Sequence, residues 1–307
     1  MTSCERLASC GCRIGFRVAE RYFGSTVTEP YLFGDVIMTQ ATIHGHIKST
    51  DATLSVVVIT LNEEENLRDC LESVRWADEI VVVDAESSDQ TVRIARQNRA
   101  RVFVRPWQGF GAQKNFGMDQ VLSEWILILD ADERVSAELR REIQELLKRG
   151  LNQAVCAYRV PRRNFYYGRW VRWGGVYPDY QVRLVRKGKG RYNNVRIHEN
   201  LIVDGSVGTL DGHLDHYTER QIADHFKRFG LYTTYAATQL RESRQVVRWY
   251  DFLGRSLVTM FKTYVVKQGV RDGTHGLIIS VLASMYTFVK YAKLWELLYL
   301  SSDKLPE

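Results

Sequence analysis

Four short apolar runs, two of them closing on acids, constrain the fold of this chain more than any other feature. LSVVVIT (54–60) is an unbroken β-branched stretch. EIVVVDA (79–85), RVFVRP (101–106) and EWILILDADE (124–133) repeat the pattern at intervals of 22 to 25 residues. Runs without polar alternation are buried on both faces, as strands of a parallel sheet are. Between them the period becomes helical. Leu67, Cys70, Leu71 and Val74 share one face. SSDQTVRIARQNRA opens on Ser87, Ser88 and Asp89, which offer N-cap chemistry. GFGAQKNFGMDQVLSE is a Gly-rich turn into a helix. Strands and helices alternating through short connections predict an α/β fold with a mainly parallel sheet flanked by helices.

Ligands of open α/β sheets bind beyond the carboxyl ends of the strands. Glu63, Glu64 and Glu65 follow the first run, Asp84 the second, and Asp130, Asp132 and Glu133 the fourth. One loop acid is ordinarily just solvated, but a cluster at one end of one sheet is not. Asp130 and Asp132, two residues apart where the chain leaves a strand, suit one hard divalent cation, Mg²⁺ or Mn²⁺, shared with substrate phosphates. Asp84 is placed to accept a hydrogen bond from a base imide or a ribose hydroxyl. The turn carrying Gln113, Lys114 and Asn115 offers close backbone approach and one cation, at spacings that match neither a Walker A loop nor a dinucleotide fingerprint.

After Gly150 the pattern changes. AVCAYRVPRRNFYYGRWVRWGG and DYQVRLVRKGKGRY alternate like strands, and KGKG predicts a hairpin turn. From Tyr217 onward the period is helical, ending in the apolar stretch Leu277 to Leu300. Charge divides with the pattern. Residues 1–150 carry 18 Lys and Arg against 23 Asp and Glu, a net −5. The remainder carries 24 against 13, a net +11. A basic second half points to an anionic partner. Arg162, Arg163, Arg169 and Arg172 interleave with Tyr166, Tyr167, Trp170 and Trp173. Arg forks grip phosphate, and aromatic faces stack on sugars. The acidic first half and the lack of a nucleic-acid motif exclude a nucleic-acid partner. Five cysteines are too few for a disulfide framework and fit a reducing compartment.

TLNEEENL, VVVDAESSDQT, the QKNFG turn and LILDADE, in that order and spacing, resemble a family 2 glycosyltransferase with a GT-A fold. The resemblance is strong from Leu54 to about Leu147 and continues through PDYQVRLVRKGKGRY and RIHE. From Leu54 onward the chain is similar to the lipopolysaccharide-core glucosyltransferase subgroup. The resemblance implies a Rossmann-like mixed sheet and inverting transfer of a sugar, glucose from a UDP-sugar, onto a lipid-linked phosphorylated saccharide acceptor. Thr60, Asn62 and Glu63 would line the nucleotide end and Asp84 would read the base. Lys114, Asn115 and Asp130 would contact the donor, and Asp130 and Asp132 would hold the metal. Where the family has VVDDGSTDGT, Ala85 and Glu86 replace an acid and a glycine.

Inversion needs a base opposite the leaving group. Asp179, in VYPDYQVRL, and Glu199, in RIHEN, are the two candidates, with Asp179 favoured. His198 is a candidate third metal ligand. Arg162, Arg163, Trp170, Trp173 and Arg183 form the expected acceptor-binding set. Gln181 and Arg183 resemble residues of processive members, but QxxRW is absent, so single addition is expected.

The expected organisation is a poorly ordered extension over 1–50, a transferase domain over 51–218 and a helical C-terminal region over 219–307. No secretory signal is expected. The uncharged run Leu277 to Val289 falls short of a bilayer span. Apolar stripes beside Arg255, Lys262 and Lys267 instead suit peripheral attachment to an anionic membrane, at the cytoplasmic face of a bacterial inner membrane. The competing readings are a polyprenyl-phosphate or other surface-glycan acceptor, a nucleotidyltransferase, and a non-catalytic membrane-docked scaffold.

Overall fold

The structure, a computed structural model, describes residues 52–149, 154–193, 200–243 and 247–300. The expected extension over 1–50, His198 and Glu199 lie outside the described residues.

In chain order the strands and helices of the first half are β1 (Leu54–Thr60), α1 (Leu67–Ser73), β2 (Glu79–Asp84), α2 (Thr91–Gln97), β3 (Arg101–Val104), α3 (Phe110–Gln120), β4 (Trp125–Asp130), β5 (Glu133–Val135) and α4 (Ala137–Arg149). The second half adds β6 (Val155–Tyr166), β7 (Arg169–Trp170), β8 (Asp179–Arg186), β9 (Gly190–Tyr192), β10 (Leu201–Val203), β11 (Ser206–Thr209), β12 (Leu214–Glu219), α5 (Ile222–Glu242), α6 (Trp249–Phe261) and α7 (Thr274–Tyr299). The main sheet runs β3-β2-β1-β4-β8-β6-β12-β5. The first four strands are parallel. β8 enters antiparallel between β4 and β6, and β12 returns parallel to β6.

Every residue of β1 is buried. Alternate side chains face opposite layers, as a pleated strand requires. Leu54, Val56 and Val58 join Leu127 and Leu129 beneath α1, α2 and α4. Val57 and Ile59 join Ile126 and Ile128 beneath α3, where Met118 and Phe116 close the layer. Gly117 sets the depth of α3. A methyl group there would stand 2.4 Å from Val57 Cγ1 and 3.0 Å from Val83 Cγ2. Only a glycine lets the helix lie this close, and that depth sinks Lys114 toward the end of β4.

The α/β sheet, mixed but mainly parallel and flanked by helices, agrees with the sequence reading. One local expectation does not hold, and another holds only at Asp89. KGKG turns the chain, but β9 pairs with β10 rather than β8, because both edges of β8 are already taken by β4 and β6. The N-cap residue of α2 is Gln90, though Asp89 does supply cap chemistry, its Oδ1 accepting the Thr91 N–H at 2.9 Å. Ser87 donates instead to Asp84, whose fully buried carboxylate must be satisfied locally.

α7 has 26 residues and a mean hydropathy of 1.4 over its most apolar window, enough by length and composition to cross a bilayer. The shorter expectation counted only the uncharged run before Lys290. In the fold, α7 packs through Tyr291 and Leu294 against Ala237 of α5 and Val247. Lys293 Nζ donates to Gly230 O, Thr233 Oγ1 and Thr234 Oγ1 of α5.

Candidate active site

The carboxyl ends of β1, β2 and β4 open on one edge of the sheet, and the antiparallel β8 begins on that same edge. Two sets of contacts occupy it.

On the β1–β2 side the loops are stitched by neutral donors. Asp84 accepts from Thr60 Oγ1 (2.8 Å), from Ser87 N (2.8 Å) and from Ser87 Oγ (2.5 Å). Asn62, in the left-handed region at φ 54, donates its N–H to Ser87 Oγ and accepts Ser88 N–H on Oδ1. Glu63 N–H donates to Thr91 Oγ1. Thr60 and Asp84 are buried, whereas Asn62 faces solvent. Burial pushes the Glu63 carboxyl up. Asn66, bonded to it at 2.8 Å, opposes that push, and nearby Asp132 and Asp130 reinforce it.

On the β4–β8–β6 side the acids are braced by cations. Asp130 meets Lys114 Nζ at 3.0 Å and Arg183 Nη2 at 2.6 Å. Burial alone would raise its pKa, but Arg183 and Lys114 outweigh that and hold the carboxylate ionised. Arg183 also reaches Glu133 at 2.5 Å, and Arg162 reaches it at 3.1 Å. Glu133 is fully buried and takes the Asp130 N–H as well. Arg162 grips Asp179 Oδ2 through Nε (2.9 Å) and Nη2 (2.6 Å), and Gln181 donates to Oδ1 (2.8 Å). Burial would raise the Asp179 pKa, and these donors hold it below the usual carboxylate range instead.

Asp132 faces His216 of β12, with Nε2 3.4 Å from Oδ2. The other ring nitrogen lies 2.7 Å from Asn164 Oδ1 and so is the protonated donor to that oxygen. Nε2 points at the Asp132 carboxylate, to which it donates when the ring is protonated; a metal bound there would displace that proton while Asn164 keeps the ring oriented. Burial would lower the His216 pKa, but the Asp132 carboxylate and then Glu133 raise it. Among the described residues no group of three or more His, Cys, Asp and Glu encloses a metal by itself. An Asp132–His216 pair does suit a cation that draws its remaining ligands from substrate phosphates and water.

The sequence-derived residues are thus distributed unevenly. Lys114, Asp130, Asp132, Arg162, Asp179 and Arg183 come together. Arg183 lies in the buried floor of the cluster, not at its rim. Asn115 is committed to β9, where its amide exchanges hydrogen bonds of 2.9 Å with the Tyr192 backbone. Arg163 turns to the other face of β6 and pairs with Asp215 at 2.6 and 3.1 Å. Trp170 stacks edge-on against Tyr177, and Trp173 lies under Arg271. Sequence reasoning passed over His216 and Asn164. The available signal was a lone histidine at the close of the last strand, LDHYTE, just before the C-terminal helices.

A doubly wound half-sheet, an Asp-Ala-Asp turn braced by cations and an antiparallel strand carrying a further carboxylate define a GT-A-type glycosyltransferase. The chain belongs to glycosyl transferase family 2, whose family model matches residues 55–226. It is 31% identical over 250 residues to the lipopolysaccharide core biosynthesis glycosyltransferase LpsC of Rhizobium meliloti, spanning 79% of this chain and 92% of that one. An uncharacterised glycosyltransferase of Rickettsia typhi is 27% identical, over 80% of this chain and 87% of that one. Among solved structures, Staphylococcus aureus TarS residues 1–349 in complex with UDP-GlcNAc aligns with a TM-score of 0.43 at 14% identity, covering 83% of this chain and 93% of that one. Glucosyl-3-phosphoglycerate synthase of Mycobacterium tuberculosis, crystallised with Mn²⁺ and UDP, aligns with a TM-score of 0.30 at 23% identity, covering 38% of this chain and 45% of that one.

Proposed function

We propose that this enzyme transfers a sugar, glucose from a UDP-sugar, with inversion onto the inner core of a lipid-linked, phosphorylated lipopolysaccharide precursor at the cytoplasmic face of the inner membrane. The observation that carries the reading is Asn164. Its Oδ1 takes the His216 ring N–H at 2.7 Å, and its Nδ2 lies 3.4 Å from Asp179 Oδ2. One amide thus links the Asp132–His216 pair to Asp179 in a single hydrogen-bonded chain, which would hold a leaving-group site and a base in fixed relation. The likeness to a lipopolysaccharide-core enzyme over most of both chains supports the acceptor class.

Asp132 and His216 would hold Mg²⁺ or Mn²⁺, which when bound neutralises the diphosphate as it departs. Thr60, Asn62 and Glu63 shape the nucleotide end, with Asp84 fixing the two loops. Lys114 and Arg183 keep Asp130 ionised and in place for the donor. Asp179 takes the proton from the acceptor hydroxyl, whose oxygen bonds to the anomeric carbon while the bond to the diphosphate breaks and its electron pair leaves with the phosphate. Arg162 holds Asp179 ionised at neutral pH; its Oδ2 is taken by Arg162 and Asn164, so the proton goes to Oδ1, which accepts from Gln181. Glu199 remains the other candidate base.

The test is a screen of UDP-, GDP- and dTDP-sugars with and without Mn²⁺ or Mg²⁺, read by thermal shift and by slow donor hydrolysis. A UDP-sugar should stabilise the protein only with metal. Asp132→Ala and His216→Ala should each lower turnover about a hundredfold to a thousandfold. No response to any nucleotide-sugar would overturn the reading.

A further inference from the structure

The C-terminal helices expose apolar surface where a soluble fold would bury it. Trp249, Leu253, Leu257, Phe261 and Val265 recur every four residues along α6 and into the π-helical turn Lys262–Val266. Positions four apart are neighbours on a helix surface. All five are exposed, Trp249 at 77%, Leu257 at 68% and Phe261 at 59%. A contiguous apolar stripe of this kind marks an interaction surface.

The charges around it select the partner. Arg248, Arg255, Lys262, Lys267 and Arg271 lie on the same segment with only two acids, Asp251 and Asp272. One acid offsets one cation, and the other is taken up by backbone. Asp251 is bonded to Arg255 and to the Arg248 N–H. Asp272 is buried and accepts the N–H groups of Arg172 (3.1 Å) and Trp173 (2.7 Å). An apolar face with an aromatic end and an excess of five cations over two acids complements an anionic bilayer surface.

The same segment is tied to the site. Gly174 N–H donates to Lys267 O at 2.8 Å, Arg271 stacks on Trp173 at 4.2 Å, and the Lys267 stem lies against Gly175. The loop gripped this way runs directly into Asp179.

We propose that α6 and the turn after it form an in-plane anchor that lays the Trp173–Asp179 rim of the active site against an anionic lipid bilayer. The inference rests on the lipid-linked-acceptor reading, because it presents the base to a hydroxyl carried at the membrane surface.

The test is co-sedimentation of the full chain with phosphatidylcholine vesicles containing about one part in three phosphatidylglycerol, beside phosphatidylcholine alone. The wild type should bind the anionic vesicles. A variant with Leu253→Ser, Leu257→Ser and Phe261→Ser should bind about a hundredfold more weakly. Lys262→Gln with Lys267→Gln should lose roughly twentyfold, in a salt-sensitive way. Both variants should keep the wild-type unfolding temperature and its thermal shift with nucleotide-sugar, so loss of the anchor is distinguishable from failure of the transferase site. Absence of wild-type binding, or unchanged binding by the triple serine variant, overturns the proposal. So does light scattering that finds a dimer dissolved by that variant, since a second copy would then be the occupant.

Discussion

The two sides of the site hold their acids by different means. Asp84, at the end of β2, is surrounded by hydroxyl and amide donors from Thr60 and Ser87. Asp130, Glu133 and Asp179 are held by Lys114, Arg162 and Arg183. The neutral side is short-range, since its two loops are joined by parallel strands that lie side by side. The charged side is assembled from α3, β4, β5, β6 and β8, which only the mixed part of the sheet brings together. Neutral stitching fixes the two loops through hydrogen bonds alone, with no cation beside the Asp84 carboxylate in those bonds. Cation bracing keeps Asp130 and Asp179 ionised and places Arg162 and Arg183 against the buried Glu133 carboxylate.

The contrast predicts a hierarchy of damage. Arg183 is 4% exposed and neutralises two acids. Its replacement by methionine strands them and should destabilise the fold by about 3–5 kcal/mol. Asp84→Asn breaks a neutral set and should cost less, about 1–3 kcal/mol. Urea denaturation of both variants measures the order. If Asp84→Asn proves the more damaging, the two sides do not differ as described.

Arg162 tests the charged side by pH. A base works only when deprotonated, so activity falls as pH drops through its pKa. Burial pushes the Asp179 pKa up and Arg162 pulls it down. Arg162→Met removes that pull, and the acid limb of kcat/KM should move to higher pH. An unmoved limb would transfer the base role away from Asp179.

How far each side was legible follows from the same difference. β1, β2 and β4 could be read because unbroken runs such as VVVIT and WILIL leave no other burial pattern, and the acids at their ends came with them; β3 is the edge strand, with Arg101 and Val104 exposed. The charged side could be read only as residue types. Arg162, Asp179 and Arg183 were all singled out, yet nothing in VYPDYQVRL says that β8 inserts between β4 and β6, which is what buries Arg183. His216 and Asn164 meet across 52 residues. That contact depends on the parallel register of β12 on β6, which LDHYTE does not encode by any periodicity. The alternation of β6 likewise splits Arg162 from Arg163, a division that a band of basic residues conceals.

The smallest effect lies on the neutral side. Glu86 occupies the left-handed region at φ 62, in the loop that Asp84 and Ser87 pin to β1. The family pattern has a glycine there, and the structure supplies the reason, since a Cβ is strained in that conformation. Glu86→Gly relieves the strain but gives the unfolded chain more freedom, so the two effects partly cancel. The expected gain is about 0.5–1 kcal/mol, read as a small rise in unfolding temperature with activity retained. A loss of stability would mean that the freedom glycine gives the unfolded chain outweighs the strain relieved at Glu86.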